Sequence, residues 1–135
     1  MQRASCYGLA RQGAAVLMVR IPPGPHGDGG KWMLPGGGVE HGEHPASTVV
    51  REFGEETGFL IEVKALLEVG SDHRLLPTGV DFHGIFTLYE VAITDGSLRS
   101  EAAGGGSEQP TWISRSEFDT TPMLDAVRGM LHRHL

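Results

Sequence analysis

The sequence predicts an α/β (α+β) fold in which a mixed β-sheet packs between helices. Apolar residues recur with a helical period in two separate segments, one over 45–57 and one that opens at Thr121. Strand-like runs precede both segments, so one helix follows the strands in each half of the chain. The 135 residues suffice for one core, and no change in composition divides them, so we expect 1–135 to form a single domain.

The composition is that of an ordinary globular protein, with 39% hydrophobic and 21% charged residues. The net charge of −6 leaves no basic patch, so a nucleic acid polymer is not an expected partner. The apolar run from Ala14 to Val19 is too short for a membrane span or a signal core, and no membrane contact is expected. Cys6 is the only cysteine and cannot form an internal disulfide. These features predict a cytoplasmic protein.

The first part of the chain consists of predicted strands that lead to a glycine-rich turn. The continuous apolar run from Ala14 to Val19 is typical of a strand buried on both faces. Prolines and glycines predict a loop over 21–30. The other predicted elements here are a strand from Ala4 to Ala10, a turn at Gln12-Gly13, a structured segment from Lys31 to Leu34 and a turn at Gly36-Gly37-Gly38.

The best-marked element is a helix from Pro45 to Thr57. Proline suits the first helical position, where its missing N–H is not needed, and Gly58 tolerates the left-handed conformation just beyond a helix end. One stripe is apolar, and a separate flank is acidic because Glu52, Glu55 and Glu56 stand at i, i+3 and i+4. The stripe contains Ala46, Val49, Val50, Phe53 and Thr57.

The second part of the chain predicts further strands and a final helix. Apolar and polar residues alternate over 61–69, which indicates a strand with one buried face. The segment Val80 to Ile93 predicts a long central strand. The remaining expectations are a loop over 70–79, a flexible connection over 101–110, a short strand from Thr111 to Ser114, and a helix opening at Thr121-Pro122 with Leu124, Val127, Met130 and Leu131 facing inward.

Three carboxylates on one helical flank suit a divalent cation. Each like-charged pair at this spacing costs about 0.2–0.5 kcal/mol, and a glycine such as Gly54 inside a helix costs about 1 kcal/mol against alanine. Oxygen ligands with several negative charges are what Mg²⁺ prefers. The plain alternative is a solvated acidic face, which accounts for most charge runs on helices and predicts no metal dependence.

From Gly37 to Phe59 the chain resembles the signature of the Nudix hydrolases. That signature is Gly, five residues, Glu, seven residues, Arg-Glu, an apolar residue, any residue, Glu-Glu, any residue, Gly and an apolar residue. The preceding Trp32 to Gly36 is also similar to the usual entry into this signature. The fitting positions are Gly37, Glu43, Arg51, Glu52, Phe53, Glu55, Glu56, Gly58 and Phe59.

The resemblance implies a Nudix-like α/β/α sandwich and a metal-dependent hydrolase. Its substrate would be a small-molecule nucleotide, cleaved at the pyrophosphate linkage of a nucleoside diphosphate that is joined to another moiety. Mg²⁺ or Mn²⁺ would be the cofactor, and the protein would be a monomer or a homodimer. A catalytically silent Nudix-fold module that only binds nucleotides is the alternative, although such modules usually lose a glutamate of the signature.

The resemblance also implies roles for the signature residues. Glu52, Glu55 and Glu56 would bind the metal, and the main-chain carbonyl of Gly36 would complete its ligands. One of these glutamates, or a distant one, would take the proton from water; which one is open at this stage. Arg51 would orient Glu43 or Glu52 and would not touch the substrate. Glu43 could serve a structural or a metal-related role.

Outside the signature, Glu108 resembles the distant loop glutamate that Nudix proteins bring to the metal, with a solvated loop acid as the alternative. Arg20 and Arg74, with His73 beside it, are candidates for phosphate contacts, although a surface salt bridge suits Arg20 equally.

The chain has no asparagine, the residue that commonly reads oxidised bases, and Pro77 lies 18 positions beyond Phe59, slightly later than in the ADP-ribose branch. Aromatic residues that could stack a base, but on strands more often fill a core, are Phe82, Tyr89 and Trp112.

Overall fold

The computed structural model describes residues 1–24, 27–99 and 108–135, with the side chain of Glu108 left out. These residues form strands, two α-helices and a short 3-10 helix. In chain order the elements are β1 (Gln2–Leu9), β2 (Arg11–Gln12), β3 (Ala15–Arg20), β4 (Trp32–Met33), β5 (Gly36–Gly38), α1 (Pro45–Thr57), β6 (Phe59–Leu75), β7 (Asp81–Gly96), β8 (Glu108–Ser114), the 3-10 helix (Arg115–Thr120) and α2 (Asp125–His134).

The strands form two four-stranded sheets where the sequence predicted one. The first sheet has the order β5-β1-β7-β6 and is mixed, because β1 runs parallel to β7 while the outer pairs are antiparallel. In the second sheet, β3 pairs antiparallel with β2, β4 and β8. The predicted α+β class with a mixed sheet is therefore confirmed, and the central position predicted for β7 is correct.

Strand β3 is buried on both faces, as its continuous apolar run predicted, because successive side chains serve different cores. Leu17 packs with Val49 and Phe53 of α1. Val16 and Met18 pack with the apolar side of α2. All three β3 residues are at most 1% exposed. The two helices thus cover separate apolar clusters that meet at this strand.

The loop predicted over 70–79 is wrong. Strand β6 continues through Leu75, which pairs with Asp81 of β7, so the connection covers only 76–80. Strand β6 lies at the end of the strand order, where exposed polar residues such as Arg74 resemble a loop in sequence. Gly70 is no turn residue either, because it pairs with Phe86 of β7, and a Cβ there would overlap the Phe86 ring.

Strand β6 is also irregular. Its pairing with β7 shifts register between Leu60 and Ile61, between Val63 and Ala65, and between Leu66 and Glu68. At the last two shifts one extra β6 residue is accommodated, which is the arrangement of a β-bulge. The two bulges lie close together in the half of the strand nearer to α1.

The glycine-rich segment at 36–38 is a strand and not the predicted turn. It pairs antiparallel with Ser5 to Tyr7 of β1. Gly36 has φ 158°, and a Cβ at this position would overlap the carbonyl oxygen of Cys6. Glycine is required here by the close approach of two backbones, and not by a change in chain direction.

The helix boundaries agree with the sequence only in part. Helix α1 has the predicted bounds, and Gly58 ends it with φ 83°. Helix α2 begins at Asp125, and the preceding 3-10 helix was not predicted. Of the predicted flexible connection, 108–110 belong to β8, and 101–107 lie outside the described residues. Neither α-helix is long and apolar enough to cross a membrane, for the part of the chain that the structure describes.

Candidate active site

The first turn of α1 is fixed by the residues that precede it. The Nδ1 atom of His44 accepts a hydrogen bond from the Ala46 N–H at 3.0 Å, and Pro45 begins the helix. Immediately before this cap, the N–H of Glu43 donates to the carbonyl of Glu40 at 2.9 Å. The turn therefore holds Glu43 at a defined place beside the helix, within reach of side chains on the next two turns.

Arg51 is the centre of the acidic group. Its Nε and Nη2 atoms donate to the two oxygens of Glu43, both at 3.0 Å. Its Nη1 atom donates to Glu52 Oε1 at 3.0 Å and lies 3.4 Å from Glu55 Oε2. The hydrogen bonds to Glu43 raise the pKa of the guanidinium further above its usual range. One cation thus contacts three of the four signature glutamates.

Both oxygens of Glu43 are occupied. Besides the two bonds from Arg51, Oε1 accepts from the hydroxyl of Thr48 at 2.5 Å and from the Glu40 N–H at 3.2 Å. The hydrogen bonds from Arg51, followed by that from Thr48, lower the pKa of Glu43 to about 2. Glu43 is therefore ionised at all pH values of interest, and its acceptor sites face protein donors.

Glu56 differs from the other acidic residues of α1 because it is buried. It is 5% exposed, and its Oε1 atom accepts the N–H of Gly36 at 2.8 Å. This bond connects the last turn of α1 to the glycine strand β5. Sequence reasoning grouped Glu56 with its neighbours on one flank, but the side chains of Glu52 and Glu55 are 18% and 47% exposed. Along the acidic flank, Glu56 is therefore buried, Glu52 is partly buried and Glu55 is exposed.

The absence of a side chain at Gly37 makes room for the Glu52 carboxylate. A Cβ at Gly37 would lie 2.8 Å from both Cδ and Oε1 of Glu52. Strand β5 and the acidic flank of α1 are therefore close neighbours. The arrangement places carboxylate oxygens of different exposure beside a strand of main-chain amides and carbonyls.

The donor chemistry of this site fits a hard divalent cation. Glutamate oxygens and a main-chain carbonyl are the ligands that Mg²⁺ and Mn²⁺ take. Within residues 1–24, 27–99 and 109–135, no three His, Cys, Asp or Glu side chains converge closely enough to hold a metal ion. The side chain of Glu108 lies outside the described residues. Here Arg51 draws Glu52 toward itself, while Glu56 bonds to the main chain.

Two of the residues proposed outside the signature lie on neighbouring strands. Arg20, at the end of β3, is the register partner of Glu108 in β8 and of Trp32 in β4. Sequence reasoning treated Arg20 and Glu108 separately, and nothing in the local sequence predicts their proximity. Glu108 belongs to a strand, and the predicted loop there is wrong.

Arg74 lies on β6 and is held by two aspartates. Its Nη1 atom is 3.2 Å from Asp28 Oδ2, and its Nε atom is 3.2 Å from Asp72 Oδ2. The guanidinium also lies over the ring of Phe82, 5.9 Å from its centroid. Asp28 belongs to the loop between β3 and β4, so Arg74 ties that loop to the sheet. The partner Asp28 was missed because the two residues are 46 positions apart.

An apolar cavity of about 130 Å³ lies beside Arg74, between the first sheet and α2. Tyr7 connects the cavity to the acidic group, since it is the register partner of Gly36. Burial raises the pKa of the Tyr7 phenol, and its ring contacts Phe86 edge-on at 6.3 Å. A larger hollow of about 810 Å³, between the 3-10 helix and α2, contains none of the signature glutamates. The smaller cavity is lined by residues that include Tyr7, Met33, Phe82, Phe86, Leu124 and Val127.

The three aromatic residues considered for base stacking lie in different parts of the structure. Phe82 lines the apolar cavity. Tyr89 is 8% exposed and belongs to the core under α1, and Trp112 packs against Phe59 at 6.4 Å. Sequence reasoning missed Tyr7 and Phe86, although both are aromatic residues within the predicted strands.

The sequence of this chain is similar to those of known proteins. The sequence model of the NUDIX domain matches residues 1–133. Over 93 residues the chain is 34% identical to the ADP-ribose pyrophosphatase of Methanocaldococcus jannaschii, which covers 69% of this chain and 52% of that protein. Over 43 residues it is 49% identical to the Mus musculus nucleoside diphosphate-linked moiety X motif 6, which covers 32% of this chain and 14% of that protein. The chain thus matches about half, or less, of these relatives' length.

Among solved structures, the MutT NUDIX hydrolase from Burkholderia pseudomallei superposes with a TM-score of 0.82. The sequences are 24% identical, and the match covers 100% of this chain and 99% of the other. At this identity the likeness concerns the fold, and it confirms the predicted α/β architecture.

Proposed function

Because this chain belongs to the NUDIX family, whose domain its residues 1–133 match, we propose that it hydrolyses a pyrophosphate linkage. The substrate is a nucleoside diphosphate that is joined to another moiety. The observation that carries this proposal is the set of glutamates that Arg51 organises beside the glycine strand. A set of carboxylates with different exposure can bind cations, orient water and accept a proton.

Mg²⁺ or Mn²⁺ would be held by Glu52, Glu55 and Glu56, by the carbonyl of Gly36 and by Glu108. When bound, such an ion neutralises phosphate charge and lowers the pKa of bound water. The buried bond between Glu56 and the Gly36 N–H fixes α1 against β5, so that main-chain and side-chain oxygens keep a constant spacing.

The proton of the attacking water goes to a glutamate other than Glu43. Both Glu43 oxygens already accept hydrogen bonds from Arg51, and its pKa of about 2 makes it a poor proton acceptor. Glu43 and Arg51 serve instead to position Glu52 and Glu55. The base is therefore one of Glu52, Glu55, Glu56 or Glu108. A positioned general base contributes a factor of about 10²–10⁴ in rate.

The base of the substrate would stack on the aromatic residues Tyr7, Phe82 and Phe86, at the mouth of the apolar cavity that they line. Stacking of one base on an aromatic side chain contributes about 1–3 kcal/mol. Tyr7 of this cavity is the register partner of Gly36, whose N–H donates to Glu56. Arg74, at the same cavity, would contact a phosphate, and Arg20 would contact the substrate from the end of β3. The relative from Methanocaldococcus jannaschii is named ADP-ribose pyrophosphatase, so ADP-ribose is the first substrate to test.

The proposal is tested by incubating the protein and Mg²⁺ with ADP-ribose, other nucleotide sugars, dinucleoside polyphosphates and nucleoside triphosphates. Products are separated by anion-exchange chromatography; ADP-ribose should give AMP and ribose 5-phosphate. Glu56→Gln should lower turnover by about 10²-fold or more, because it removes a charge from the site. Glu62→Gln is the matched control, since Glu62 is an exposed residue of β6 that pairs with Lys64.

The failure of the proposal has two distinct forms. If the parent protein binds nucleotides but cleaves none, it is a binding module. If it cleaves a substrate and Glu56→Gln is as active as Glu62→Gln, the reaction takes place away from the acidic flank of α1.

A further inference from the structure

Thr48 is a buried polar residue in the middle of the signature, at a position where the signature allows any residue. It is 0% exposed, and its hydroxyl lies 2.5 Å from Glu43 Oε1. The hydroxyl is also 3.3 Å from the His44 carbonyl, the ordinary helical acceptor four residues earlier. A threonine has one hydroxyl proton, and the shorter, charged acceptor takes it. The proton of Thr48 therefore points to Glu43.

This hydrogen bond fixes the plane of the Glu43 carboxylate. Oε2 accepts only from Arg51 Nε among the bonds described, whereas Oε1 accepts from Arg51 Nη2, Thr48 and the Glu40 N–H. A guanidinium that donates two parallel bonds must follow the plane of the carboxylate it meets. Among the described residues, Thr48 is the only side chain besides Arg51 that donates to Glu43. Its bond constrains the orientation of the Glu43 carboxylate, and thereby the direction of Arg51 Nη1.

The remaining nitrogen of Arg51, Nη1, contacts Glu52 at 3.0 Å and Glu55 at 3.4 Å. We propose that Thr48 is a positioning residue: through Glu43 and Arg51, its hydroxyl sets the place of the Glu52 carboxylate beside Gly37. The proposal rests on the proposed hydrolase function for its kinetic consequence, but not for its geometric one.

The test compares Thr48→Val, which keeps the shape and removes the hydroxyl, with Thr48→Ser, which restores it. Thr57→Val is the matched control. Thr57 is likewise 0% exposed on α1, but its hydroxyl donates to the Phe53 carbonyl at 2.7 Å, accepts from the Phe59 N–H at 3.2 Å and does not contact Glu43. Loss of a buried helical hydroxyl is thus common to both valine variants, and only Thr48→Val affects the Glu43 and Arg51 pair.

The first readout needs neither substrate nor metal. Solvent exchange of the Arg51 Nε–H is measured by NMR, and Thr48→Val should speed it several-fold, while Thr48→Ser and Thr57→Val keep the parent rate. The second readout is kinetic. Thr48→Val should lower kcat about 10-fold or more with little change in KM, as the loss of a residue that orients ligands does, and Thr48→Ser should recover most of it.

An unchanged exchange rate in Thr48→Val, or an equal change in Thr57→Val, overturns the proposal whatever the activity. If the parent cleaves no substrate, the proposed function fails, and the exchange rates alone decide the role of Thr48. If Thr48→Val does not fold by circular dichroism, Thr48→Ala takes its place in both measurements. A fall in kcat that Thr48→Ser does not recover also contradicts the proposal.

Discussion

Gly37→Ala tests directly how closely the glycine strand and the acidic helix fit together. Gly37 lies in an extended strand, and its φ does not fall in the region that favours glycine, so alanine is compatible with the backbone. The added methyl group would nevertheless stand 2.8 Å from Cδ and Oε1 of Glu52 and 3.1 Å from Oε2. Since β5 is held by β1 on one side and by Glu56 on the other, we expect Glu52 to move.

The expected size of the effect follows from these distances. Ordinary contacts of a Cβ atom begin at 3.4 Å, so the carboxylate must retreat by about 0.6 Å. Catalytic groups must be held within about 0.5 Å of the productive geometry. A misplacement of about 1 Å can cost 10²-fold in rate. We therefore expect Gly37→Ala to lower kcat by roughly 10- to 100-fold while the fold is retained.

The assay is steady-state hydrolysis of the best substrate, with Gly54→Ala as the matched control. Gly54 lies inside α1, and a Cβ there meets nothing within 4 Å. Gly54→Ala should therefore keep full activity and raise stability by about 1 kcal/mol. If Gly37→Ala keeps a kcat within twofold of the parent, the described spacing between β5 and Glu52 does not govern catalysis, and our reasoning is refuted.

Two further predictions concern metal binding and pH. In chelator, Glu52→Gln should change stability little, because the like-charge repulsion it relieves is offset by the lost contact with Arg51. In Mg²⁺ at tenfold over Kd, the parent should gain about 1.4 kcal/mol and the variant much less, as thermal melts will show; equal gains would mean that Glu52 is no ligand. Burial raises the pKa of Cys6 from 9.0 to about 11, so the folded state keeps its thiol proton where the unfolded state has lost it. Between these two pH values stability should fall by roughly 1.4 kcal/mol per pH unit more in the parent than in Cys6→Ala, measured by urea unfolding, and identical slopes would contradict the burial argument.

The part of the fold that local residues determine was predictable. Pro45 and Gly58 gave the bounds of α1, because each is a residue with a specific conformational requirement at a helix end. The end of β6 was not predictable in this way. On an edge strand polar residues are exposed on both faces, and a segment such as Asp72 to Arg74 therefore has the composition of a loop.

The candidate site was predictable to the level of the signature, and the comparisons confirm the family. The burial of Glu56 was not, since helical periodicity places a residue on a flank but does not say which strand will approach it. The Gly36 N–H that Glu56 accepts comes from 20 positions earlier. The pairing of Arg74 with Asp28 and the adjacency of Arg20 and Glu108 also arise only from strand pairing, and no local pattern predicts them.

The two bulges of β6 bear on how the protein behaves at high concentration. Strand β6 ends the order of its sheet among the described strands, and it exposes apolar side chains, with Leu66 at 55%, Val69 at 62% and Leu75 at 73%. A long, straight edge of this kind would be a template for intermolecular β-pairing and fibril growth. Each bulge bends the strand and increases its twist, so its outward amides do not align with a regular strand of another molecule. We therefore expect the irregularity that breaks the ladder with β7 to disfavour edge-to-edge pairing between molecules.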